Sequence, residues 1–139
     1  MRKVSFVLKT DPVPWKRAGR AGNRYYDAQF LQKEQHRLLL NILKNKPFSD
    51  NKPLLLVITF WIKIPKSNKS IKEGDYHYKR PDNSNFIKFI EDAMQPHLIP
   101  DDCLFAGTIA FKRYSHEPRL EISVQEIDER LTVTIGECE

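Results

Sequence analysis

The run LLLVITFWIKI, residues 54–64, decides the fold. It is apolar almost throughout, as a strand covered on both faces would be, and periodicity alone leaves a buried helix open. Pro65 ends the element in either case. Downstream, TIAFKRY (108–114) and RLEISVQEI (119–127) alternate as two strands joined by the turn SHEP. Upstream, VSFVLK (4–9) puts Val4, Phe6 and Leu8 on one strand face before two prolines stop it. A helical run spans about 27–45, in which Leu31, Leu38, Leu39, Ile42 and Leu43 recur at helix spacing until Pro47. A second helix follows the polar loop KSNKSIKEGDYHYKR (66–80). The expectation is an α+β fold: one small domain, a mixed β-sheet of about four to five strands packed with two main helices. That domain takes in residues 1–127, and 128–139 form an acidic tail in which LTVTI could add a short strand.

At 139 residues the chain has room for one real core, and 40% hydrophobic with 29% charged residues marks a folded globule. No run has the length of a membrane helix, and MRKVSFVLKTDP is too short and too interrupted for a signal peptide. A cytoplasmic protein with no membrane partner is expected. Cys103 and Cys138 cannot make a metal quartet or a disulfide framework, so both are expected to be inert, with Cys103 a small buried residue. His36, His77, His97 and His116 lack zinc-ligand spacing and read as surface or turn residues. No glycine-rich phosphate loop is present, and no small-molecule cofactor is expected.

Charge narrows the partner. The net charge is +5, and Arg2, Lys3, Lys9, Lys16, Arg17, Arg20 and Arg24 face a single early acid, Asp11. Such a distribution suits a phosphate-bearing partner as well as it suits a solvated surface. Trp15, Tyr25 and Tyr26 lie among these cations, where they would either stack on bases or fill a core.

The second helix is the least ordinary element. In RPDNSNFIKFIEDAM (80–94), a helical wheel gathers Phe86, Ile87, Phe89, Ile90, Ala93 and Met94 in one arc. Asn85, Lys88, Glu91 and Asp92 fall in the other, with Asn85, Lys88 and Asp92 in a narrow wedge. Asp82 stands at the entrance, where a carboxylate ordinarily caps the helix. Asp101 and Asp102 follow in IPDDCLFAG just before a strand, where turn aspartates are common. Acids at a helix entrance and a strand entrance, with a lysine one turn on, are also the parts of a hard divalent-cation site. Beside basic surface, such a site suits phosphodiester hydrolysis.

These residues resemble the RusA-like Holliday junction resolvases. The match lies in RPDNSNFIKFIEDAM with the downstream Asp-Asp, and in PVPWKRAGRAGNRYYDAQF (12–30), and it covers most of residues 3–127. The resemblance implies a Mg2+-dependent endodeoxyribonuclease, Mn2+ being an alternative ion, that cleaves four-way junction DNA as a homodimer in recombination and repair. It implies catalytic roles for Asp82, Lys88 and Asp102, and a metal site of Asp82, Asp102, Asp101 and Ser84. DNA contacts are expected from Lys16, Arg17, Arg20, Arg24, Lys79, Arg80 and Asn85. The pattern breaks at Ser84, where the family carries an aspartate, and Asp101, Asp92 or a water held by Ser84 would have to compensate. A junction-binding protein that has lost cleavage through Ser84, and an unrelated basic RNA-binding module, are the alternatives.

Overall fold

The computed structural model describes residues 2–41 and 47–128. Six strands and two α-helices follow in the order β1 (Lys3–Leu8), β2 (Gly19–Ala21), β3 (Arg24–Tyr26), α1 (Phe30–Leu40), β4 (Leu54–Lys63), α2 (Asn83–Met94), β5 (Phe105–Ser115) and β6 (Arg119–Glu126). The main sheet is mixed, with strand order β1-β6-β4-β5, and β2 and β3 form a separate two-stranded ribbon. The expected α+β domain with two helices is therefore what the chain forms.

The run 54–64 is a strand, but its two faces differ. Leu54, Leu56, Ile58 and Phe60 are fully buried, whereas Leu55, Val57, Thr59 and Trp61 are only half-buried. The buried row joins Leu8 of β1 and Leu120, Ile122 and Val124 of β6 beneath Phe86, Ile90, Ala93 and Met94 of α2. Phe60 and Phe86 stack with centroids 5.1 Å apart. The helices cover one face only, so the expectation of a strand covered on both faces is corrected.

The turn at 116–118 joins β5 to β6 without pairing them, because β4 lies between. β4 pairs antiparallel with β6 (Ile58↔Ile122) and parallel with β5 (Ile58↔Ala110). A parallel pair cannot be closed by a tight turn and needs a long crossover, here the loop 64–82 and α2. In such a βαβ unit the helix runs back against the strands. The start of α2 consequently lies over the middle of β5, where the Asn83 side-chain amide donates to the Ala110 carbonyl at 3.3 Å. Its end lies near the entrance to β5.

α1 packs on α2 by a face that the leucine spacing did not indicate. Leu31 and Leu38 are 75% and 73% exposed, and Leu39 is also exposed, while His36 and Leu40 are buried. Ile42 and Leu43 lie outside the described residues. His36 meets Phe89 edge to face at 4.9 Å, and burial lowers its pKa. His77 is also buried, against Tyr114, so the reading of these two histidines as surface residues is corrected. LTVTI in the acidic tail lies outside the described residues.

Candidate active site

α2 begins where Asp82 adopts an extended backbone (φ −67°, ψ 149°) in the N-cap position. Its carbonyl accepts from the Asn85 amide at 3.1 Å, yet its carboxylate makes no capping bond. The side chain is exposed and lines a surface concavity with Arg80, Pro81 and Asn85. A helix-cap reading accounts for the backbone of Asp82 and leaves its charge unused. Ser84 and Lys88 are exposed in the first two turns, and Lys79 and Arg80 are exposed just ahead of them.

The segment after β1 is fastened onto this helix entrance. The Trp15 amide donates to the Asn85 carbonyl at 2.9 Å, and Lys88 Nζ stands 3.7 Å from the centroid of the Trp15 indole. Gln29, buried just before α1, donates from Nε2 to the Pro14 carbonyl at 2.7 Å and accepts from the Lys16 amide at 2.8 Å. The β2–β3 ribbon extends from there. Gly22 turns it at φ 62°, a left-handed conformation that glycine reaches without steric cost. Lys16, Arg17, Arg20 and Arg24 are exposed along it, and Arg20 lies over the Tyr25 ring at 5.7 Å. Tyr25 and Tyr26 are 72% and 55% exposed, which removes them from the core and leaves them available to bases. Arg80 and Asn85 share the concavity at the helix entrance with Asp82, whereas Lys16, Tyr25 and Tyr26 line a second one with Trp15, Asp27 and Lys33.

Asp101 and Asp102 lie towards the other end of α2. Asp101 precedes a short 3-10 helix, Asp102–Leu104, and its carboxylate accepts from the Cys103 amide at 3.0 Å, which lowers its pKa. Partial burial and the neighbouring Asp101 raise the pKa of Asp102, against a hydrogen bond from Gln95 that lowers it. Glu91 is half-buried here, and desolvation with the charges of Asp102 and Asp92 pushes its pKa up to about 7. The wheel had placed Glu91 on the polar arc without signalling this, because the acids that act on it come from a later segment. Asp92 is balanced by Lys33 of α1, whose Nζ lies 3.8 Å from its carboxylate and 3.0 Å from that of Asp27. Cys103 is exposed rather than buried, and the adjacent Asp101 raises its pKa.

The structure thus gathers Asp82, Ser84 and Asn85 at the start of α2, places Lys88 at its middle, and sets Asp102 beside Glu91 and Asp92 towards its end, next to Asp101. Asp82 precedes the first turn of α2, and Glu91, whose carboxyl feels Asp102, lies nine residues on, an axial distance of about 13 Å. Mg2+ and Mn2+ prefer hard oxygen ligands, and each group offers them. Among the described residues, no group of three His, Cys, Asp or Glu side chains could hold a metal ion.

Compared with known families, residues 11–125 match Endodeoxyribonuclease RusA. The match spans most of the chain, which belongs to the RusA endodeoxyribonuclease family. A search of curated proteins found no match. Among the described residues, no helix is long and apolar enough to cross a membrane.

Proposed function

We propose that this chain is a divalent-metal-dependent endonuclease that resolves four-way DNA junctions as a homodimer, in recombination and repair in the cytoplasm. The observation that carries the reading is the uncapped Asp82 carboxylate, exposed beside Arg80 and Asn85, with Lys88 farther along the same helix over Trp15. Asp82 and Ser84 would hold Mg2+ or Mn2+ from the helix entrance, and Asp102 with Asp101 would complete the ligand set. The ion, when bound, would polarise the phosphate and lower the pKa of a bound water. Lys88 would face the charge that develops on the phosphate, while the ribbon cations, Lys79, Arg80 and Asn85 hold the backbone.

The two acidic groups stand apart along α2 in one chain. A two-fold dimer reconciles them by bringing Asp82 and Ser84 of one protomer to Asp101 and Asp102 of the partner subunit, twice per dimer. Such pairing also supplies the two incisions that a four-way junction requires. Single-turnover cleavage of a four-way junction with and without Mg2+ tests the reading, with linear duplex and duplex RNA as competitors. Junction-specific, metal-dependent nicking is the expected result. Junction binding without cleavage at any Mg2+ or Mn2+ concentration would instead favour the binding protein disabled at Ser84. Equal binding to RNA would remove the junction reading.

A further inference from the structure

The loop between β4 and α2 holds a cluster of cations that the helix entrance does not use. Lys63, Lys66, Lys69 and Lys72 recur at every third position, all are exposed, and all line one concavity with Ile64, Pro65 and Ile71. The loop is pinned by its own polar groups. The Ile64 amide donates to the Ser115 carbonyl at 3.1 Å, the Asn68 amide to the Pro65 carbonyl at 3.2 Å, and the Lys72 amide to an Asp75 carboxylate oxygen at 2.9 Å. Asn68 Oδ1 accepts from both the amide and the hydroxyl of Ser70, at 3.1 and 2.6 Å.

Glu73 lines the same hollow and sets one negative charge against the four lysines. Glu73 accepts from the Ser115 hydroxyl at 2.6 Å and the His116 amide at 2.7 Å, and Asp75 is bound to the Lys72 backbone. Among the described residues, none of the four lysines pairs with a carboxylate. Like charges held around one hollow repel, and an anion with several charges in a row relieves that repulsion.

The hollow is connected to the helix entrance. Beyond Glu73 the chain lies along the free edge of β5, with the Gly74 amide on the Tyr114 carbonyl, Tyr76 bridged to Arg113, and the His77 amide on the Lys112 carbonyl. Lys112 Nζ then donates to the carbonyls of Lys79 and Pro81, at 2.7 and 2.8 Å, next to Asp82. Three residue steps along β5 lead from Ser115 at the hollow to Lys112 near the helix entrance, roughly 10 Å before the reach of the side chains is added.

We propose that the lysine hollow is a second phosphodiester-backbone site, which grips a duplex arm of the junction several base pairs from the bond cleaved beside Asp82. The inference rests on the junction-binding reading. Allowing for side-chain reach, the spacing corresponds to phosphates about four to eight base pairs from the cut, at about 3.4 Å per step.

The test is hydroxyl-radical footprinting and salt-dependent binding of a four-way junction by the full chain and its Lys66→Gln, Lys69→Gln, Lys72→Gln triple variant. The loop bonds use backbone, Asn68, Ser70 and Asp75, so the variant is expected to fold, and Lys69→Glu alone serves if it does not. The expected result has three parts: protection lost about four to eight base pairs from the cut, protection near the cut retained, and a salt slope shallower by about 2.7, or 0.9 per lost contact. An unchanged footprint and slope, with wild type bound to the junction, overturns the inference alone. Uniform loss of protection along the arm also overturns it. Failure of wild type to prefer the junction overturns the parent reading and this inference with it.

Discussion

Lys88 Nζ lies 3.7 Å from the centroid of the Trp15 indole, on the same helix face whose preceding turn receives the Trp15 amide. The contact fixes a flexible cation at one height above the helix entrance, and a cation over an aromatic face is worth about 0.5–2 kcal/mol. Trp15→Ala is expected to cost about 1–2 kcal/mol in urea unfolding from this contact and the lost packing. Lys88→Gln is expected to slow single-turnover junction cleavage by about 100-fold, the scale of losing one donor to a developing charge. Junction affinity in the Lys88 variant should stay within about threefold, or 0.7 kcal/mol. A loss of affinity equal to the loss of rate would make Lys88 a binding residue only.

Separation of Asp82 from Asp102 along α2 gives a complementation test. Asp82→Asn and Asp102→Asn homodimers should each lose metal-dependent nicking while still binding junctions. Mixed before junction is added, the two should regain activity, because one site of a heterodimer then receives an intact Asp82 and an intact Asp102 from different protomers. Calorimetry should show metal binding return in the mixture as well. No recovery of either signal, with heterodimers confirmed by mass spectrometry, would place the site within one chain.

Ser84→Asp adds a hard anionic ligand two residues beyond Asp82. Mg2+ affinity is expected to rise at least tenfold, about 1.4 kcal/mol, and cleavage with it. Nicking seen only in the aspartate variant would identify the parent chain as a junction binder. A small or negative gain would mean that Asp101 or a water already fills the position and that like charges crowd it.

Glu91 gives a pH signature in metal-free buffer. Its folded pKa of about 7 exceeds its ordinary value, so its contribution to stability is full below about pH 4.3 and is lost as pH rises through 7. Glu91→Gln should therefore leave stability nearly unchanged at pH 4 and increase it at pH 8. The gain is expected to be about 1–2 kcal/mol, reduced from the full shift because half of the side chain remains solvated. Urea unfolding at the two pH values reads it, and equal effects at both would dissociate Glu91 from the acids around it.

Sequence alone determined the family and the main elements, though not the β2–β3 ribbon. The run 54–64 could be assigned as an element, and α2 could be drawn with its buried arc of Phe86, Phe89, Ile90, Ala93 and Met94, because side-chain period is a local property that each segment carries. The entrance motif and the downstream aspartates were likewise contiguous enough to be recognised. Tertiary structure decided what no local pattern holds. Leu31 and Leu38 satisfied helix spacing and still face outward, because the face of α1 that meets α2 is set by Lys33, His36 and Leu40 against Asp92 and Phe89. β4 inserted itself between β5 and β6, which a three-residue link had left adjacent in sequence. Asp82 and Asp102 look close along the chain, but a crossover helix must run against its parallel strands, and this carries its entrance and the next strand's entrance to opposite ends.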